Sequence, residues 1–204
     1  MNREALGRKF ARAATTVSVA TPRLWRLFRG PLQRNFDRLA PHWDASRAPD
    51  YFAPYEAALD ALPEAPERVL DLGTGTGKGV RAIAQRFPSA AVIGVDLSPG
   101  MVEEARRLSP GERFEVADAA HLPFADGAFD LVALGNMIPF FDELARVVAP
   151  GGWALFAFSS GPATPIWVPP ERLRAELSRR GFTEFADVRA GRGSALLAGK
   201  PVVS

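Results

Sequence analysis

The segment Arg68–Val80, RVLDLGTGTGKGV, carries an apolar run through an aspartate and then places glycine at every second position from 73 to 79. Glycine tolerates positive φ and lets the backbone come close to another group with no Cβ between them. At a strand-to-helix junction such a loop can serve a phosphate, a dinucleotide or another adenosyl ligand. A phosphate loop needs GxxxxGK followed by Ser or Thr. Here Gly77-Lys78 is followed by Gly79, and Leu72 stands where the first glycine belongs. A dinucleotide loop needs GxGxxG, yet Lys78 or Val80 occupies the third glycine position, depending on whether the count starts at Gly73 or Gly75. Lys78 therefore reads as a helix-start residue with no assigned chemistry. What remains is Asp71-x-Gly73-x-Gly75-x-Gly77, with two more acids downstream, Asp96 in VIGVDLS and Asp118 in VADAAHLPF. A carboxylate at a strand end can accept from a vicinal diol or an amino group. Free amides at a helix start favour an anion such as a carboxylate.

These residues need a scaffold, and the hydrophobic pattern supplies one. RVLDL, AVIGVDL, RFEVAD, FDLVAL and WALFAFS read as strands, separated by helical stretches at Lys78–Phe87, Pro99–Leu108 and Phe140–Ala149. Ser98 is the expected N-cap of the second of these, with Pro99 at N1. The sequence PGG is expected to end the third helix before its strand. Glu171–Arg180 is helical, and GFTEFADV and GSALLAG form a closing strand pair. Five strands joined by crossovers, followed by an antiparallel pair, predict an α/β domain with a mostly parallel sheet. Ligands in such sheets bind beyond the C-terminal strand ends, which is where the glycine loop and both acids fall.

On these residues the chain resembles the class I S-adenosylmethionine-dependent methyltransferases, over roughly positions 69–200. FDLV and LARVVAPGGWALF also look like that family. The resemblance implies a Rossmann-like, mostly parallel seven-stranded sheet with helices on both faces and a C-terminal antiparallel strand pair. It implies S-adenosyl-L-methionine as cofactor, with Asp71, Gly73, Gly75 and Gly77 beneath its methionine part. Asp96, followed by Leu97, would take the ribose hydroxyls. Asp118, followed by Ala119, would neighbour the adenine. Asp71 has an alternative role in ordering the loop, and Asp118 could be a turn acid. Phe124 reads as core rather than as an adenine platform.

The fourth strand ends in ALGNMIPFFDEL, the region that borders the methyl group in the resembled family. Gly135, Asn136 and Met137 are the expected residues there, with Asn136 the better polar candidate. Methyltransferases acting on nucleic-acid amines typically carry Asn/Asp-Pro-Pro-aromatic at this place. This chain has Asn136-Met137-Ile138-Pro139-Phe140 instead, which argues against a base amine as acceptor. Upstream, positions 36–59 resemble the N-terminal cover of the small-molecule branch. There Arg47 could pair with the cofactor carboxylate and Tyr51 could close over it, the plain alternatives being a surface charge and a core aromatic. His42 is a candidate base, with Tyr55 and His121 as further proton-handling groups. Trp43, Phe52, Met137, Phe140, Phe141, Ile166 and Trp167 would line a pocket for a small, partly apolar or aromatic methyl acceptor. Two other functions stay open: an NAD-dependent oxidoreductase, disfavoured by the glycine phase, and a non-catalytic methyltransferase-like binding domain.

At 204 residues with 47% apolar content, the chain can build one substantial core. It has no cysteine, so disulfides and thiol chemistry are excluded; no acidic pair or histidine array suggests a metal. The net charge of +2 hides an imbalance, because residues 1–38 carry nine basic and two acidic side chains. We therefore divide the chain into a basic N-terminal extension, 1–38, and a domain, 39–204, whose helical cover is 39–66. The extension suits a solvated segment or contact with an anionic membrane surface, since Leu24, Trp25, Leu27 and Phe28 interleave with arginines. No reading element for nucleic acid accompanies the charge, so no specific nucleic-acid partner is expected. The expected location is cytoplasmic, including the periphery of a membrane.

Overall fold

Strands β1 (Arg68–Leu72), β2 (Ala91–Asp96), β3 (Arg113–Val116), β4 (Phe129–Gly135), β5 (Val148–Phe158), β6 (Glu184–Ala190) and β7 (Gly193–Gly199) form one sheet in the order β3-β2-β1-β4-β5-β7-β6. The computed structural model describes residues 3–202, apart from the side chains at positions 3–6, 8 and 10. All pairs from β3 across to β5 are parallel, while β7 runs antiparallel to both β5 and β6. Central strands that are apolar on consecutive residues must be covered on both faces, and β1 shows it: Val69 to Leu72 are all buried. Val69, Leu131, Ala133 and Leu155 pack with Ile83 of α4 (Lys78–Arg86) and with Tyr55 and Leu59 of α3 (Ala53–Asp60). Leu70, Leu72, Val132 and Leu134 belong to the opposite cluster, with Leu144 of α6 (Phe141–Val147) and Leu173 and Leu177 of α7 (Pro170–Ser178). Alternation along each strand thus feeds two cores.

Ser98 caps α5 (Pro99–Leu108) as expected, its hydroxyl accepting from the Met101 N–H at 3.1 Å. PGG behaves differently. The helix ends at Val147, and β5 already begins at Val148 and runs through the three residues. A register shift opposite Phe129 and Leu131 absorbs them. A Cβ on Gly152 would stand 3.0 Å from the carbonyls of Ala149 and Asp130, so the strands close up there only because the residue is glycine.

The N-terminal stretch is mostly helical, as α1 (Arg3–Ala20) and α2 (Trp25–Leu39). It is not a free extension: Ala14, Val19, Trp25 and Leu32 are buried and join the α6/α7-side core. Met1 and Asn2 lie outside the described residues. Residues 40–52 then pass across the strand ends and lead into α3, which packs in the other core. The expected site consequently has a roof made by the first quarter of the chain. Among the described residues no helix is long and apolar enough to cross a membrane.

Candidate functional site

The loop after β1 rests on Asp71. Its side chain is buried; Oδ1 accepts from the Tyr55 hydroxyl and Oδ2 from Thr74 Oγ1, both at 2.6 Å. Burial pushes the Asp71 pKa up, and bonds from Thr74, Tyr55 and the Val80 N–H oppose the rise. Tyr55 is held well above the usual phenol range by burial and by the Asp71 charge. Asp71 thus lies beneath the loop with its oxygens committed to ordering it. Gly79 has its reason here, because a Cβ would sit 2.4 Å from Asp71 Oδ2.

Gly73 and Gly77 adopt φ of +74° and +81°, conformations that cost an L side chain about 1–2 kcal/mol. A Cβ at Gly73 would meet Met137 Cγ at 2.6 Å, and one at Gly77 would meet Phe114 Cζ at 2.8 Å. Protein side chains therefore fill the space beside both glycines, where the sequence suggested backbone bared to a ligand. Gly75 is left at the crest, facing the Trp43 indole, and its N–H donates to Asp96 Oδ2 at 2.9 Å. The Ser98 N–H donates to Asp96 Oδ1 at 2.9 Å. Two backbone donors from two loops hold this partly exposed carboxylate in one orientation, with lone pairs to spare. Burial pushes its pKa up to about 6 against the pull of those amides.

At the end of β3, Asp118 Oδ1 accepts from the Ala120 N–H at 3.0 Å and from Trp25 Nε1 at 2.8 Å, and Oδ2 accepts from Arg29 at 3.4 Å. Asp37 Oδ1 accepts from Ser98 Oγ at 2.6 Å and from the Gly100 N–H at 3.0 Å. Asp44 Oδ1 accepts from Thr76 Oγ1 at 2.7 Å. Residues 25–44 are therefore tied to each of the three loops that follow β1, β2 and β3. Leu97 packs against the core beside Asp96, and Ala119 is buried.

The Arg47 guanidinium lies 3.6 Å over the Trp43 ring, and Lys78 Nζ lies 4.6 Å over Tyr51. Burial, with the Asp44 charge, pushes Tyr51 up to about 12. Arg47, Tyr51 and Lys78, with Asp44 and Arg81, line an open cleft of about 510 Å³ outside the glycine loop. At the end of β4, Gly135 backs onto the Tyr55 ring. Asn136 takes φ +52°, the single non-glycine residue with positive φ among those described. Its N–H donates to the Ala157 carbonyl at 2.8 Å and its Oδ1 accepts from the Ser159 N–H at 2.9 Å. Its Nδ2 has no described protein partner. His42 is exposed, and its imidazole bonds to no described residue. Of the expected pocket aromatics, Phe52, Phe140 and Phe141 are buried core, whereas Trp43, Met137, Ile166 and Trp167 are partly exposed.

Residues 69–152 match the family model described as a methyltransferase domain. The chain is 41% identical over 133 residues to a demethylmenaquinone methyltransferase of Thermus thermophilus, covering 57% of this chain and 60% of that one. It is also 41% identical over 124 residues to a trans-aconitate 2-methyltransferase of Methylobacterium nodulans, covering 54% and 47%. Residues 69–152 form a methyltransferase domain of the class I S-adenosylmethionine-dependent kind. A solved complex of the Haloferax volcanii Trm112 methyltransferase activator with a methyltransferase shares the fold. Its TM-score is 0.66 at 22% identity, over 81% of this chain and 97% of that one. The chain spans about half of the curated methyltransferases it matches, 60%, 50% and 47% for three of them.

For a methyltransferase site, sequence reasoning passed over four groups that the fold brings in: Trp25, Asp37, Asp44 and the structural use of Tyr55. Trp25 and Asp118 are 93 positions apart, and no local pattern joins them. The available signal was indirect: aromatic residues and acids interleaved through positions 25–55 in a stretch that otherwise reads as basic.

Proposed function

We propose that the protein transfers a methyl group from S-adenosylmethionine to a small organic acceptor that is apolar or aromatic around the reacting atom. The observation that carries this reading is Asp96, a partly exposed carboxylate fixed by the Gly75 and Ser98 amides between two strand ends. That geometry suits two adjacent hydroxyls, and a protonated or freely rotating acid would suit them less. When bound, the cofactor supplies an electrophilic methyl group on a sulfonium. The chain's own residues bind and orient. Asp96 takes the ribose, Asp118 with Ala119 flanks the adenine, and Gly73 to Gly77 run beneath the methionine portion over Asp71. Arg47 and Tyr51 stand toward the carboxylate end of the cofactor.

On the acceptor side, Gly135, Asn136 and Met137 end β4, and the strained Asn136 backbone presents an amide whose nitrogen has no described protein partner. Met137, Trp43, Ile166 and Trp167 keep water from the reacting atoms and favour a ring-bearing substrate. Demethylmenaquinone, in the name of one relative, is of that kind. Alignment is the main task, because a good nucleophile in line with the C–S bond reacts once held there. A working general base at His42 would give a roughly hundred-fold fall in kcat for His42→Ala. Its exposed imidazole has no orienting partner, and the expected change is small.

Calorimetric titration with S-adenosylhomocysteine and, separately, NAD tests the cofactor. Binding of the first alone is expected; binding of NAD alone would sink the proposal. Transfer of radiolabelled methyl across quinone, phenolic and amine acceptors then names the substrate class. Cofactor binding with no transfer to any of them would favour the non-catalytic alternative.

A further inference from the structure

Helix α2 presents two faces of different character. Trp25, Leu32 and Phe36 recur at i, i+7 and i+11 and pack against the core, the first two buried. Leu27, Arg34 and Arg38 repeat the same spacing two positions later, and all three are exposed, as is Pro31 between them. Two helical positions correspond to a rotation of about 200°, so this second stripe faces away from the protein. Leu27 keeps 63% of its area in water and Leu24 37%, with Arg23 and Arg26 exposed beside them. Residues 22–39 hold five arginines and one carboxylate, and that carboxylate, Asp37, is committed to Ser98 and Gly100. Arg29 turns to Asp118, and among the described residues the Arg38 side chain bonds to the neutral Asn35 side chain.

We propose that this outer face of α2 docks flat on an anionic lipid surface. Arg23, Arg26, Arg34 and Arg38 meet the headgroup phosphates, and Leu24 and Leu27 enter the boundary between headgroups and acyl chains. The charge selects the surface, and the two leucines select lipid over nucleic acid, for which apolar side chains in the contact stripe bring nothing. Trp25 and Phe28, interleaved with these arginines in sequence, take no part, because the fold draws them inward. The same helix holds Asp118 from its inner side, so the docked face lies across α2 from the expected adenine site. Docking does not depend on the methyl-transfer proposal.

Co-sedimentation of the full chain with phosphatidylcholine vesicles, with and without phosphatidylglycerol, tests it. Binding is expected only with phosphatidylglycerol and weakens as salt rises. The double variant Arg34→Glu/Arg38→Glu is expected to lose more than about twenty-fold in partitioning, at about five-fold for each arginine removed. Leu27→Ser lowers binding at unchanged charge. Both variants keep the thermal midpoint of the wild type, since none of these side chains is buried. Equal sedimentation of wild type and double variant, or equal binding to phosphatidylcholine alone, overturns the proposal. So does loss of retention on a DNA or RNA column with vesicle binding intact, which assigns the stripe to nucleic acid.

Discussion

The loop from Asp71 to Gly79 and the cover from Trp25 to Asp44 meet at the same strand ends, and they are held differently. The loop is packed from inside: Met137 and Phe114 fill the space beside Gly73 and Gly77, and two hydroxyls donate to the buried Asp71. The cover is pinned by a few polar contacts to Asp118, Ser98 and Thr76, several of them partly exposed. A packed loop has one arrangement, because a shift would open voids or strand a buried charge. Those polar contacts can be released to water at modest cost while Trp25 and Leu32 stay buried. Damage to the loop should therefore cost stability, and loss of the cover's polar contacts should cost mainly cofactor affinity.

The largest expected effect tests the point where the two meet. Asp96→Ala removes the carboxylate aimed by Gly75 and Ser98, and should weaken S-adenosylhomocysteine binding by about 3 kcal/mol, a hundred-fold, in calorimetry. The wild type offers a version without mutation. Asp96 is raised to about 6 by burial, so its charge costs the ligand-free fold stability as pH climbs through that value. Hydrogen bonds from a bound diol favour the same charge. The rise in melting midpoint caused by S-adenosylhomocysteine should therefore grow between pH 5 and 7, in steps read by calorimetry.

Gly77→Ala comes next. Positive φ and the Phe114 ring together should lower unfolding free energy by about 2–3 kcal/mol in urea titrations. A neutral result would mean that the loop is as adaptable as the cover. Tyr55→Phe leaves Asp71 Oδ1 without its hydroxyl donor, and a loss of about 1–2 kcal/mol is expected. Trp25→Phe is the smallest. It deletes one donor to Asp118 from the cover side, and should weaken cofactor binding by about 1 kcal/mol while moving the urea midpoint less than Tyr55→Phe does. A larger stability loss than in Tyr55→Phe would show that the bond to Asp118 supports the fold more than the site.

The strand and helix boundaries were readable because hydrophobic period and cap chemistry are local. Ser98-Pro99 starts α5 where the sequence places it, and β1, β2 and the closing pair follow their apolar runs. The exception was PGG, a stop signal in isolation, which β5 absorbs because its pairing with β4 outweighs the local turn preference. Among site residues, the placement of the glycine loop and Asp96 beyond the strand ends followed from the parallel sheet, and the bond from the Gly75 N–H to Asp96 came with the neighbouring ends of β1 and β2. The loop-ordering role of Asp71 was one of two readings the sequence allowed, but its Tyr55 partner was hidden, because Tyr55 precedes it by 16 residues on a helix whose packing face the pattern does not reveal.

The sequence by itself determined the alternation of strands and helices, the glycine phase that excludes a phosphate loop, and the acids at three successive strand ends. These follow from neighbours within a few residues, where sterics and hydrogen-bond inventory act directly. Only the tertiary structure decided what surrounds them. It turned Trp25 toward Asp118 and Leu27 toward solvent, filled the space beside the glycines with Met137 and Phe114, and buried Asp71 beneath the loop. Contacts across tens of residues depend on how two cores pack against one sheet, and that is a property of the assembled chain.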